Sequence, residues 1–411
     1  MSADTSAPIR APEPPAQPPE QRRTAHRLRA SLRRAGPALG LYAASRLAGL
    51  VCTVVWAGWV GKHPRTLLGY SWDSVWYVDI VRHGYNSALP PDPAKHGVTF
   101  SDMAFFPLFP MLMRTLTTVL PITAVTAGLL VAWVASGAAA WGIYAIGERL
   151  HGRRVATVLV VLWGLLPHAI VQSMAYTEPL LTALAAWSLY AVLTRRWVWA
   201  GSLALLAGAS RPNGIAVAAA VCCCAAAELW QSRGRDRGRD RGRGAQGSWR
   251  AWAGAALSPL GWLGYLAWVG YRRGSWRGYF AVQDEWGSRF DFGANALRFI
   301  RYLLIGKASF AYFVALVILS VSLLLLALLA VDRPPLSLLV YTLVLVAITL
   351  GGSNYFASKP RFLLPAFPLL LPVALAMARA RPRAAVLTGG ALAGLSLVYG
   401  TYLLTVAHAP L

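Results

Sequence analysis

The chain has 411 residues, of which 56% are hydrophobic and 13% charged, with a mean hydropathy of +0.49. Apolar runs of roughly 20 residues recur along it, each long enough to cross a hydrocarbon core of about 30 Å, which excludes a soluble globular fold and points to a polytopic membrane protein. The formal net charge is +23, from 39 Lys and Arg against 16 Asp and Glu, but the excess Arg lies in short segments between apolar runs, so membrane orientation rather than nucleic acid accounts for it.

Residues 1–35 combine Pro8, Pro12, Pro14, Pro15, Pro18 and Pro19 with Arg22, Arg23, Arg27, Arg29, Arg33 and Arg34. With little to bury, this segment is expected to be a disordered cytoplasmic tail, and residues 36–411 the transmembrane domain. The first apolar run is expected to act as an uncleaved signal anchor. There are eleven such runs in all, at 37–58, 121–147, 155–171, 177–194, 197–209, 213–229, 251–271, 309–331, 336–350, 362–379 and 384–407. With the N-terminus inside, Arg149, Arg153, Arg154, Arg195, Arg196, the 233–250 loop, Arg333, Arg379, Arg381 and Arg383 all fall on the cytoplasmic side, as the positive-inside rule requires. The connections at 59–120, 272–308 and 351–361 then lie outside.

Three stretches depart from this regular pattern. Phe105–Leu120 is apolar but short, and carries Pro107, Pro110 and Arg114; if it spanned, the Arg-rich loops would change sides, so it is placed at the outer interface or as a shallow re-entrant segment. The Arg-Gly tract at 233–244 has nothing to pack and reads as a flexible cytoplasmic loop. Residues 197–229 would be about 50 Å long as one helix, too long for one span, so Pro212-Asn213-Gly214 marks the turn of a hairpin. That turn lies below the surface, and Arg211 on it needs an anionic partner, either a ligand phosphate or a protein carboxylate. The four cysteines, Cys52 and Cys222 to Cys224, sit in apolar runs without zinc or disulfide spacing.

Under this topology Asp73, Asp79, Asp92, Asp102, Glu178, Asp284, Glu285 and Asp291 face outward, together with Arg82, His83, Arg211, Arg272, Arg273, Arg277, Lys359 and Arg361. Carboxylates suit proton transfer and the cations suit a phosphate. An outward site cannot draw on cytoplasmic nucleotide sugars, so any donated group would arrive on a lipid.

The passage Trp72-Asp73-Ser74-Val75-Trp76-Tyr77-Val78-Asp79-Ile80-Val81-Arg82-His83-Gly84-Tyr85, followed by Ala104-Phe105-Phe106-Pro107-Leu108-Phe109-Pro110, resembles the first-loop signature of the PIG-V-type mannosyltransferases of the GT-C superfamily. Ser173–Leu181, Gly208–Gly214 and Lys359–Pro365 are similar to further passages of that family, in the same order along the chain, the last as in its bacterial members. The resemblance implies an all-α, GT-C-like membrane enzyme of about eleven transmembrane helices, with short interfacial helices in a large first extracytoplasmic loop. It implies inverting transfer of mannose from a polyprenyl-phosphate carrier to an extracytoplasmic glycan, lipid or protein acceptor, without metal or other cofactor, and Asp73 as general base. Trp72, Trp76, Tyr77, Arg82, His83, Glu178, Arg211, Asn213, Lys359 and Arg361 are then candidate donor contacts.

Each assignment has a plainer alternative. Asp73 could cap a helix or pair with Arg82. Asp79 reads as a helix-surface partner of Arg82 or His83. Glu178, before Pro179 at the start of a span, suits helix capping as well as substrate contact. Lys359 and Arg361 could meet lipid headgroups, and Trp72 and Trp76 could stack on a sugar or belong to interfacial belts. A lipid-linked sugar flippase, or an inactive scaffold of the same fold, are the rival readings.

Overall fold

The computed structural model describes residues 20–85, 100–235, 241–306 and 308–407. They are almost wholly helical, with one isolated antiparallel bridge between Phe290 and Gly352. In chain order the α-helices are α1 Glu20–Trp59, α2 Pro64–Gly69, α3 Asp73–His83, α4 Leu108–Val119, α5 Ala124–His151, α6 Arg153–Gly164, α7 Glu178–Leu193, α8 Trp197–Gly208 and α9 Ile215–Arg235. They continue with α10 Arg241–Leu257, α11 Leu260–Arg272, α12 Gly278–Glu285, α13 Ala294–Ile305, α14 Phe310–Val331, α15 Leu336–Gly351, α16 Lys359–Phe362, α17 Leu371–Arg379 and α18 Pro382–Thr405.

Every apolar run carries α-helix over part or all of its length, and the chain is a multi-pass membrane protein. Among the described residues five helices are long and apolar enough to cross a membrane, or six if the bent pair 356–362 and 367–379 counts as one span. The others are short: α6, α8 and α4 have 12 residues each, about 18 Å of helix against a core of about 30 Å. The run at 251–271 is two helices, broken at Ser258 and Pro259, because Pro259 has no N–H to continue the ladder. Helix α1 begins at Glu20, inside the segment expected to be unfolded, and α10 begins inside the 233–250 loop. Residues 1–19 of the tail and 236–240 of the loop lie outside the described residues.

The core is a helical layer in which α5 packs on α6 and α7, α7 on α8, and α9 on α15, through small and branched residues such as Ala139, Ile143, Ala186, Leu189, Ala220 and Leu345. Cys52 and Cys223 lie on exposed helix surfaces instead of in this core.

The shortness of α6, α8 and α15 has a structural consequence. Each gives way to a mostly buried segment of irregular backbone and short helical turns, at 165–177, 209–214 and 356–370, the last reached through the more open 352–355. Carbonyls and amides there cannot find water, so side chains of packed helices satisfy them. Arg46 of α1 donates to the carbonyls of Gly164 and Ala169, Trp133 to Ser173, and Ser136 to Gln172. Gln172 donates to Trp163 O, and Trp163 to Leu364 O, tying the first break to the third. Tyr341 donates to Pro365 O. The second break closes tightly: a Cβ on Gly214 would lie 2.1 Å from Ala207 O, so only glycine permits α8 and α9 to turn there. The hairpin read from 197–229 is therefore present, with its turn at Ala209 to Gly214.

Candidate active site

The three breaks and the start of α3 each deliver one charged side chain to the same place. Asp73 is the first residue of α3; Trp72 before it holds φ 49° and packs against the apolar cluster that includes Leu68 and Tyr176. Such a backbone, unusual for a bulky residue, persists only where its surroundings fix it. Ser74 adds a second anchor, its hydroxyl donating to Ala175 O at 3.1 Å. Glu178 opens α7 directly after the first break, Arg211 precedes the 3₁₀ turn of the second, and Arg361 lies in α16 within the third.

Together they form a continuous chain of ion pairs. Arg361 Nη1 lies 2.9 Å from Asp73 Oδ2, Arg361 Nε lies 3.1 Å from Glu178 Oε1, and Arg211 Nη1 pairs with the same Glu178 oxygen. Two carboxylates and two guanidiniums thus balance to zero in a buried place, where an unpaired charge would cost several kcal/mol. Arg361 also stands over the rings of Tyr176 and Phe362, 5.0 and 4.9 Å from their centroids, and Arg211 over Phe362 at 5.5 Å. Side-chain exposure separates the two acids: Glu178 is 1% accessible and Asp73 22%. A reacting hydroxyl could reach Asp73 and not Glu178. Loss of water is the largest influence on Asp73 and raises its carboxyl above the ordinary value; Arg361 and Arg211 pull it down, while Glu178 pushes it up.

The remaining candidates divide. Tyr77, one turn on from Asp73, is buried, packs edge-to-face on Phe105 and Phe109, and has its hydroxyl 3.3 Å from Thr177 Oγ1. Trp76 stacks on Phe105 and meets Trp286 edge-on, so both rings hold α3 against α4 and the loop before it. Asn213 is half-buried beside Arg211. His83 is 61% exposed and its Nδ1 lies 2.8 Å from Asp79 Oδ1, and Arg82 is exposed. These last two stand on the far end of α3, outside the ion-pair chain.

Several expectations change. Asp73 pairs with Arg361 instead of Arg82, and Trp72 occupies the N-cap position. Glu178 does not cap α7 through its side chain. Lys359 and Arg361 are buried, away from any lipid headgroup. Lys359 points elsewhere, its Nζ donating to Thr349 O at 2.7 Å and Gly352 O at 2.5 Å, where it closes the C-terminus of α15. Sequence reasoning missed Tyr176, whose buried ring carries Arg361; its place two residues before Glu178 was the available signal.

An apolar groove of about 490 Å³ runs between the end of α3, α4 and α11, lined among others by Ile80, Tyr85, Met111, Gly264 and Trp268, with Arg114 at its edge. Ile80 is about 10 Å along α3 from Asp73 at 1.5 Å per residue. Among the described residues no three His, Cys, Asp or Glu side chains come together as metal ligands.

No protein-family model matches the chain, and no curated protein does. Solved structures do. The crystal structure of ArnT from Cupriavidus metallidurans, bound to undecaprenyl phosphate, superposes with a TM-score of 0.53 at 13% identity, over 89% of this chain and 63% of ArnT. The archaeal oligosaccharyltransferase AglB from Archaeoglobus fulgidus, in complex with an inhibitory peptide and a dolichol-phosphate, gives 0.48 at 14% identity, over 90% and 56%; that superposition is too loose to carry an argument. The likeness to ArnT is one of fold, and the chain spans 63% of ArnT's length. The described residues share the all-helical fold of ArnT.

Proposed function

We propose that this GT-C-fold protein is an inverting membrane glycosyltransferase that takes a sugar, mannose on the PIG-V resemblance, from a polyprenyl-phosphate carrier on the extracytoplasmic face. The observation that carries the reading is the pairing of Asp73, the accessible carboxylate, with a guanidinium inside a buried cluster of two acids and two arginines. Displacement at an anomeric carbon needs a carboxylate on one side and cations on the other. The acceptor hydroxyl oxygen forms the new bond to C1, and the C1–O bond to phosphate breaks with its electron pair leaving on the phosphate. The hydroxyl proton passes to Asp73, so that one displacement inverts the centre. Arg361 and Arg211 are the charges placed to stabilise the leaving phosphate, and no metal is called for in this reading. The apolar groove beside α3 would take prenyl units of the carrier.

The test is direct. Purified protein in nanodiscs, given labelled polyprenyl-phosphate mannose and a membrane extract as acceptor source, should produce a labelled product and free polyprenyl phosphate. Asp73→Asn should abolish transfer while leaving folding and carrier binding intact; near-normal turnover by a folded Asp73→Asn protein would sink the reading. A flippase is the second reading, favoured by the broken helices at 209–214 and 352–370, a feature transporters use at their binding sites. Counter-transport without product in proteoliposomes would decide for it.

A further inference from the structure

Glu178 cannot itself be the base, since its carboxylate is 1% accessible and already holds two guanidiniums on one oxygen. A buried carboxylate of this kind needs a reason, because a pair of apolar residues would fill the same space at no cost in desolvation. The reason lies in what Arg361 would do without it. Arg361 offers its Nη1 to Asp73 and its Nε to Glu178, and a guanidinium given wholly to Asp73 in a bidentate fork would quench that carboxylate as a base. Arg211 lies on the other side of Glu178 and would likewise be drawn toward the one remaining anion.

We infer that Glu178 is a positioning residue that divides Arg361 between two carboxylates, holding it, with Arg211, in reserve for a phosphate and keeping Asp73 basic. The inference rests on the reading of Asp73 as the base and deepens it. The groups facing Asp73 are Tyr77 on its own helix, Tyr176 and Glu178 from the first break, Arg211 from the second, and Tyr355 and Arg361 from the third. Of these, Glu178 is the one anion among neighbours that are otherwise cationic or phenolic. In Glu178→Gln both guanidiniums have Asp73 as their single carboxylate. In Arg211→Gln the balance tips the other way, since Glu178 then claims more of Arg361.

The two variants therefore move Asp73 in opposite directions, which a general loosening of the fold would not do. Infrared titration of the purified protein, with each Asp73→Asn counterpart subtracted to isolate the Asp73 carboxyl band, reads this without any substrate. Glu178→Gln should lower the Asp73 midpoint by about one pH unit and Arg211→Gln should raise it, while Glu178→Asp, which keeps the charge, restores it most of the way. An unmoved midpoint in a folded Glu178→Gln protein, or a shift of the same sign in both variants, overturns the inference. If Glu178→Gln does not fold, a fall or no change in Arg211→Gln overturns it alone. In transfer assays Glu178→Gln should reduce kcat about tenfold, because the base is then quenched by both guanidiniums; an unchanged kcat in a folded Glu178→Gln protein also overturns it. If the wild-type protein transfers nothing, the transferase reading falls, and the infrared midpoints still decide this one.

Discussion

At the scale of single residues, the site turns on how one guanidinium is shared. Arg361 makes its two ion pairs through different nitrogens at 2.9 and 3.1 Å, a fork that a lysine ammonium cannot reproduce. Arg361→Lys is therefore expected to reduce transfer at least about a hundredfold, measured as kcat/KM, despite conserving charge. The pH profile follows from Asp73. Its carboxyl sits above the ordinary value because water is excluded, and a base works only when deprotonated. Transfer should thus fall as pH drops, with the half-point above the usual carboxylate value of about 4, and a limb at or below that value would count against Asp73 as the base. Glu178→Ala leaves two buried guanidiniums short of an anion and should cost about 3–5 kcal/mol in stability, read as a lower midpoint in thermal or denaturant unfolding.

At the scale of elements, the three breaks explain both the successes and the misses of sequence reasoning. The turn at Pro212 to Gly214 was legible because the run was too long for one span and carried a turn signal. The breaks at 165–177 and 352–370 were less so, since Leu165, Leu166, Ala169, Ile170 and Val171 continue an apolar pattern through a segment that is not α-helical. The pairing of Asp73 with Arg361 was out of reach, because it joins opposite ends of the chain and nothing local to either residue demands it. Lys359 and Arg361, both outward-facing cations of one passage, share an expected role, yet side chains two apart on a helix do not share a face; Arg361 enters the site and Lys359 closes α15. Lys359→Met should accordingly lower thermal stability, by about 1–3 kcal/mol for the carbonyls left unmet, while changing KM for the carrier little. Gly214→Ala should be at least as damaging, since its Cβ would meet backbone 2.1 Å away and the α8–α9 turn would have to open.

At the scale of the molecule, the reading requires a defined orientation. Trp276 lies in the exposed connection between α11 and α12, and Arg333 between α14 and α15. In a background with Cys52 and Cys222 to Cys224 replaced, Trp276→Cys should react with an impermeant maleimide on intact cells, and Arg333→Cys only after the membrane is opened. The reverse pattern would put the site on the side of the nucleotide sugars and overturn the carrier-lipid donor.

The order in which the four charges occur along the chain, Asp73, Glu178, Arg211 and then Arg361, bears on how the protein is made. Both acids are synthesised before either of their cationic partners, and Asp73 waits longest, for a residue near the end of the polypeptide. During synthesis neither carboxylate can settle into an apolar interior as an anion, so each must stay hydrated or take up a proton until its arginine emerges. The residues that let Arg46 of α1 meet the carbonyls of Gly164 and Ala169 are all made by then, which leaves α16 as the last charged element the site waits for. A ribosome-stalled chain ending before residue 352 should hold all the early helices and yet leave Asp73 open to a carboxyl-reactive carbodiimide, and release of the full-length chain should close it.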